Sequence, residues 1–296
     1  MQETAPATNC HARCVTPGTG TPAVHRAKAG YACSMFLQRE INLGFMSMRH
    51  ASLPERVAAA AAAGFDGLSL RADQWQQMQD SGWGASRVRQ LLADHEMRVS
   101  EIEPMRFLRD DLLQAAAEMV EAFGAPRVQV TPPLEPGRLD FAACAQWLAK
   151  ASQRLPQTQL AIEFLPPTDV PDAATAQRLI DMAGSQANLG LCVDSWHVFR
   201  GGGLASLRNI QVKRVFVLQI NDGPLQPTIP DYIADCLRFR LPCGEGEFDL
   251  TTFLRLLPAT APLNVEVINE QLEQRPPGDI AALLHASTVA ALQRAG

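Results

Sequence analysis

No apolar run in this 296-residue chain approaches the roughly 20 residues that a helix needs to cross a bilayer, which excludes a helical membrane protein. The N-terminus lacks the apolar stretch of a secretory signal, and no run of Lys or Arg stands out along the chain. Lys and Arg number 26 against 31 Asp and Glu, for a net charge of -5. Such a chain has no global attraction to nucleic acid or anionic lipid. The expectation is a cytoplasmic protein with neither membrane nor nucleic acid as partner. Metal-ligand cysteine spacing is also scarce. Cys10 and Cys14 flank His11, but no second ligand pair lies nearby, so a zinc reading is weak. Cys144, Cys192, Cys236 and Cys243 are scattered and read as free thiols in a reducing compartment. No G-x-G-x-x-G follows the first apolar strand, and Gly201, Gly202 and Gly203 stand in the wrong context for one, which argues against a dinucleotide fold.

What is present is an alternation. Residues 1–34 are rich in Thr, Pro, Ala and Gly without periodicity and read as a disordered tail, with Met35 as a candidate natural start. From residue 41 short apolar runs alternate with helical stretches. Strands are expected at 41–46, 67–70, 98–102, 127–130, 159–164, 189–193, 214–220 and 263–267. Helices are expected after 53 and at 85–95, 111–123, 141–151, 173–183, 204–209, 250–257 and 279–293. Ser52 and Glu55 form a capping box for the first helix, and Gly64 suits its left-handed end. Eight strands with intervening helices predict a single (β/α)8 TIM barrel over 35–296, with no linker that would mark a second domain.

In such a barrel the residues at the C-terminal ends of the strands face the active site. Here they are Arg71, Glu101, Glu103, Glu163, Asp194, Gln219 and Glu266, with His197, Asn221 and Asp222 just beyond their strands. Glu163, Asp194, Gln219 and Glu266 come from four successive strands, the last delayed by a long loop over 223–249. Three carboxylates and an amide oxygen suit a hard divalent ion, Mn2+ or Mg2+. Without a cation the carboxylates would repel one another. Glu266 also interrupts an apolar strand, where a lone buried charge costs several kcal/mol. His197 is a candidate for substrate contact or proton transfer, and His50 lies close enough in sequence to the first strand end to touch the site. Arg71 and Glu103 are candidate substrate contacts.

The chain resembles the xylose isomerase-like TIM-barrel superfamily, which includes sugar phosphate isomerases and epimerases. The resemblance is carried by 52–70 (SLPERVAAAAAAGFDGLSL), Glu163, 193–202 (VDSWHVFRGG), 218–224 (LQINDGP), 241–248 (LPCGEGEF) and 265–267 (VEV). It implies a metal held by Glu163, Asp194, Gln219 and Glu266. Members similar to D-tagatose 3-epimerase have histidine where Gln219 stands, whereas glutamine is reminiscent of 3-dehydroshikimate dehydratases; inosose dehydratase belongs to the same group. The resemblance also places a substrate-binding arginine at Arg240. The expected function is a metal-dependent isomerase or epimerase of a small polyhydroxylated hydroxy-ketone. Glu163 or Glu266 would take the proton next to the carbonyl, giving a metal-stabilised enediolate. A dehydratase built on the same residues is the alternative, and a non-catalytic binding barrel is the competitor from another class. Endonuclease-like relatives need several metals and many histidine ligands, which this chain lacks. A homo-oligomer is compatible with the sequence.

Overall fold

A computed structural model describes residues 38–134, 137 and 139–296. The expected tail, Met35 and the Cys10–Cys14 pair with His11 lie outside the described residues. Eight parallel strands form a closed barrel in chain order. They are β1 (Ile41–Leu43), β2 (Gly67–Arg71), β3 (Val99–Arg106), β4 (Arg127–Thr131), β5 (Gln159–Glu163), β6 (Leu189–Asp194), β7 (Val215–Ile220) and β8 (Leu263–Val265). β1 pairs with both β2 and β8, which closes the barrel. The helices are α1 (Leu53–Ala63), α2 (Trp75–Asp80), α3 (Ala85–Asp94), α4 (Asp110–Phe123), α5 (Phe141–Arg154), α6 (Ala173–Met182), α7 (Ser195–Arg200), α8 (Tyr232–Cys236), α9 (Leu250–Leu256) and α10 (Pro277–Ala295). No helix among the described residues is long and apolar enough to cross a membrane.

Local signals hold where side chains enforce them. Ser52 caps α1 through the backbone N–H of Glu55, the Glu55 carboxylate accepts the Ser52 N–H at 2.8 Å, and Gly64 ends the helix at φ 93°. Asp140, Asp172 and Asp249 cap α5, α6 and α9. Boundaries differ where tertiary contacts decide. β1 stops at Leu43 because Phe45–Met48 winds into a 3-10 turn. The expected helix at 204–209 is only a short 3-10 turn, because α7 begins directly at Ser195, capped by the Asp194 carboxylate on the Trp196 N–H at 2.8 Å. β8 ends at Val265, so Glu266 lies just past it, its N–H bonded to the Ile220 carbonyl at 3.2 Å.

Strand alternation divides the barrel into two environments. Leu68, Leu70, Val128, Val130, Leu160, Ile162, Leu191, Val193, Leu218 and Ile220 are buried in the continuous core that includes the helices. The other set is largely polar and also buried: Asn42, Ser69, Glu101, Glu103, Arg127, Gln129, Glu163, Asp194, Gln219 and Asn264. Ala161, Cys192 and Val217 form a small apolar layer of their own, with Phe216 packed on it. Gly190 permits this packing, since a Cβ there would meet the Phe216 ring at 2.4 Å. Glu101 does not belong with the mouth residues. It meets the Arg127 guanidinium at 3.2 Å, at the start of β4, and burial pushes its carboxyl up to about 7 against the opposing pull of Arg127.

Candidate active site at the C-terminal mouth

β5, β6 and β7 deliver Glu163, Asp194 and Gln219 to the C-terminal end of the barrel, and the segment after β8 delivers Glu266. In register, Glu163 pairs with Cys192 and Asp194 with Gln219, so successive residues climb with the stagger of the sheet. Asp194 is completely buried. Its Oδ1 accepts N–H bonds from Trp196 and the Asn221 side chain, both at 2.8 Å, and its Oδ2 faces Arg240 Nη1 at 2.8 Å. Glu163 accepts from Gln129 Nε2 at 2.9 Å through Oε2 and faces His197 Nε2 at 3.2 Å through Oε1. Glu163, Asp194 and His197 each offer one ligand atom, all within 4.8 Å of one another.

Glu266 stands outside that group of three and joins it through Arg240. One guanidinium nitrogen, Nη1, donates to Asp194 Oδ2 at 2.8 Å and to Glu266 Oε2 at 2.9 Å. Nε and Nη2 of Arg240 donate to the Cys236 carbonyl at 3.1 Å and the Cys236 thiol at 3.0 Å. Arg240 therefore lines the cavity, but its N–H groups are engaged by the protein, and it acts on the carboxylates that sequence reasoning assigned to a metal. Gln219 is the reverse case. Both atoms of its side-chain amide are buried without a hydrogen-bond partner.

The electrostatics follow from burial. Glu163 and Glu266 are held well above the ordinary carboxylate range, by desolvation first and then by neighbouring carboxylates, with Arg240 opposing. Glu103 is also raised by burial, although Ser69 Oγ at 2.6 Å and the Phe45 N–H at 2.9 Å donate to it. His197 is pushed down to about 4 by desolvation and is neutral at neutral pH. Its Nε2 faces two carboxylate oxygens, which places the ring proton there. Nδ1 then accepts from the Tyr232 hydroxyl at 2.6 Å.

The cavity above these groups has a volume of about 270 Å³. Arg71, Glu103, His197 and Arg240 all line it, as do Arg106, Gln129 and Tyr232. Arg71 is paired with Asp73. His50 is elsewhere: it bonds Glu273 at 3.0 Å beside a different surface cavity. Sequence reasoning missed Gln129, Asn221 as a partner of Asp194, and Tyr232. Gln129 was accessible through strand alternation in β4. Tyr232 lies in the long segment after β7, where nothing in the pattern marks it.

The residues present fit a divalent cation. An amide with no partner, and three buried carboxylates of which two pair with the single arginine Arg240, leave negative charge and one donor oxygen unmatched.

Comparison with known proteins agrees with this architecture. A family model described as xylose isomerase-like TIM barrel matches residues 57–286. A 3-dehydroshikimate dehydratase of Pseudomonas aeruginosa is 26% identical over 242 residues, covering 76% of this chain and 37% of the relative. A second, from Pseudomonas putida, is 26% identical over 253 residues, covering 78% and 38%. The chain thus spans under two fifths of the length of the curated relatives it matches. Among solved structures, a xylose isomerase-like TIM barrel/4-hydroxyphenylpyruvate dioxygenase fusion protein is 25% identical with a TM-score of 0.72, over 84% of this chain and 42% of that one. IolI protein with a bound zinc atom shares the fold at a TM-score of 0.76 and 16% identity, over 87% of this chain and 99% of that one. With its closed barrel and a family match over most of its length, the chain belongs to the xylose isomerase-like TIM barrel family.

Proposed function

We propose that this protein is a divalent-metal-dependent dehydratase of a small, carboxylated, polyhydroxylated ketone. The observation that carries the reading is Gln219, a fully buried amide with no partner beside Asp194 in register. An imidazole at this position would match the epimerase pattern; glutamine matches the dehydratase alternative, and the curated relatives bear the name 3-dehydroshikimate dehydratase. Glu163, Asp194, Gln219 and Glu266 would hold the ion, with His197 within reach of the first two. When bound, such an ion polarises the substrate carbonyl and acidifies the adjacent C–H.

The remaining chemistry belongs to the chain. Glu266 commits Oε2 to Arg240, and no hydrogen bond from the described residues reaches Oε1, which suits it as the base toward the cavity. Glu163 has both oxygens engaged, by Gln129 and His197, and suits a fixed supporting role. Burial raises the Glu266 carboxyl above its ordinary range, with Arg240 opposing, which makes it a stronger base than an exposed carboxylate. The neutral His197 points its Nε2–H at Glu163 and Asp194 and so holds their carboxylates in place beside the cavity. Loss of a β-hydroxyl as water completes a dehydration, whereas return of the proton to the other face would complete an epimerisation. Arg71 and Arg106 line the same cavity and supply cationic partners for a substrate carboxylate.

The test incubates Mn2+-loaded protein with dehydroshikimate, inososes and ketoses, following products and deuterium uptake in D2O by NMR. Dehydration of the carboxylated substrate is expected. Turnover confined to ketoses, with solvent deuterium at the carbon next to the carbonyl, would instead establish the isomerase reading.

A further inference from the structure

Most buried arginines of this fold have partners. Arg127 meets Glu101 at 3.2 Å, Arg200 meets Asp235 at 3.0 Å, and Arg240 meets Asp194 and Glu266. Arg39 donates to the carbonyls of Ala259 and Pro258. Arg56, on α1, is different. It is 4% exposed, its Nε and Nη1 are buried without a hydrogen-bond partner, and no carboxylate among the described residues forms an ion pair with it. Burial lowers it to about 10, partly offset by the charge of Glu103, so it remains a cation at neutral pH. Its guanidinium stands 4.2 Å from the centre of the Phe45 ring, which accounts for part of its tolerance of burial but not for the missing hydrogen bonds.

Arg56 lines a cavity of about 320 Å³ on the outer side of the barrel mouth, between the 45–53 segment and α2. The other polar lining residues are Arg49, Ser52, Gln74, Gln77 and Ser81, and no carboxylate among the described residues lines it. Arg49 is tied to Glu273 at 2.8 Å, and the Ser52 hydroxyl to Glu55 at 2.6 Å. Arg56 is therefore the cation of the cavity wall without an ion-pair partner among the described residues, with the charge of Glu103 acting on it from beyond contact distance. This cavity shares no lining residue with the one above Glu163 and Asp194.

We propose that this cavity is a second ligand site, built on Arg56, that binds the oxyanion group of a small metabolite. Guanidinium is the side chain best suited to a phosphate or carboxylate in a partly dry setting, because its planar array of N–H donors matches both. The Gln74 and Gln77 amides add neutral donors that recognise oxygen without adding charge. The site is independent of the reaction proposed above. It lies next to that reaction's cavity, because the backbone N–H of Phe45 donates to Glu103 at 2.9 Å.

The test titrates the 15N-labelled full chain with inorganic phosphate and, separately, acetate, with chloride holding ionic strength constant. The reporters are the indole N–H of Trp83 and the amides of Phe45 and Leu53, all residues of the cavity wall. Saturable shifts at these groups in the millimolar range are expected. Response to phosphate alone assigns a phosphorylated ligand, to acetate alone a carboxylated one, and to both the oxyanion class as a whole. Arg56→Met should weaken binding roughly tenfold or more, the equivalent of losing one charge-assisted contact. Gln77→Glu, at an exposed position, should do the same by repulsion and leaves the core untouched. Absence of saturable shifts, or shifts centred on Arg106 and Tyr232 in the other cavity, would overturn the proposal. So would undiminished affinity in folded Arg56→Met. If that variant does not fold, undiminished affinity in Gln77→Glu overturns it instead.

Discussion

The Tyr232 hydroxyl stands 2.6 Å from Nδ1 of His197, with the two rings stacked at an interplanar angle of 25°. The opposite ring nitrogen faces Glu163 and Asp194. A neutral imidazole has one proton, and this arrangement assigns it to Nε2. Tyr232→Phe keeps the ring and its stacking but removes the hydrogen that fixes the tautomer. We expect 15N spectra of His197 to shift from a single Nε2–H form toward a mixture, with turnover falling roughly tenfold, in line with the loss of one buried hydrogen bond. An unchanged tautomer in the variant would show that the carboxylates alone set it.

Glu266 is predicted to matter through its charge rather than its shape. Glu266→Gln preserves volume and can still accept a hydrogen bond from Arg240, so the barrel should stay folded. Loss of a general base should lower turnover by roughly 10²- to 10⁴-fold at saturating metal. Circular dichroism and single-turnover rates check the two halves separately. Full activity in a folded variant would move the base role to Glu163.

The two environments of the barrel were legible because a strand alternates strictly, so Glu163, Asp194 and Gln219 fall at inward positions and can be counted from the apolar runs that contain them. What sets Glu266 in place is not in its own strand. β8 ends a residue earlier, and the position is held by Ile220 and Arg240, which are distant in sequence. The same limit explains Arg240. The family resemblance marked it as a substrate contact, but only the folded chain shows Cys236, Asp194 and Glu266 converging on its guanidinium. Tyr232 was invisible because α8 is a five-residue helix in a long segment with no periodicity to read. Glu101 and Glu103, one alternation apart on β3, look equivalent in sequence; their partners, Arg127 and Ser69, separate them.

His197 supplies a pH dependence of known sign. Its folded-state value of about 4 lies below the ordinary 6.5, so the unfolded chain binds the proton more readily. Its contribution is fully present above pH 6.5 and is lost as pH falls through 4. Across that window it amounts to at most about 3 kcal/mol. Glu163 and Glu266 are raised and contribute the opposite slope, so the wild-type curve alone does not isolate the histidine. The difference between wild type and His197→Gln does. Denaturant unfolding with chelator present, between pH 4 and 7, should show the variant losing less stability on acidification than wild type. Parallel curves would mean that His197 has the same proton affinity in the folded and the unfolded chain.

The last prediction concerns the amide without a partner. A neutral amide oxygen is a hard donor that serves Mg2+ and Mn2+, whereas imidazole favours Co2+, Ni2+ and Zn2+. Gln219→His should therefore raise affinity for the latter three relative to Mn2+. The fold should tolerate the change, because the amide it replaces satisfies no hydrogen bond that the substitution would break. The side chain is fully buried, so the larger ring tests the space around it, and a thermal melt is needed beside the titration. Calorimetric titration of both proteins with each metal gives the result directly. If a folded Gln219→His variant binds every metal as wild type does, Gln219 is not a ligand. The ion would then rest on Glu163, Asp194 and His197, the three residues whose ligand atoms already lie within 4.8 Å of one another, and the unpartnered amide would need another explanation.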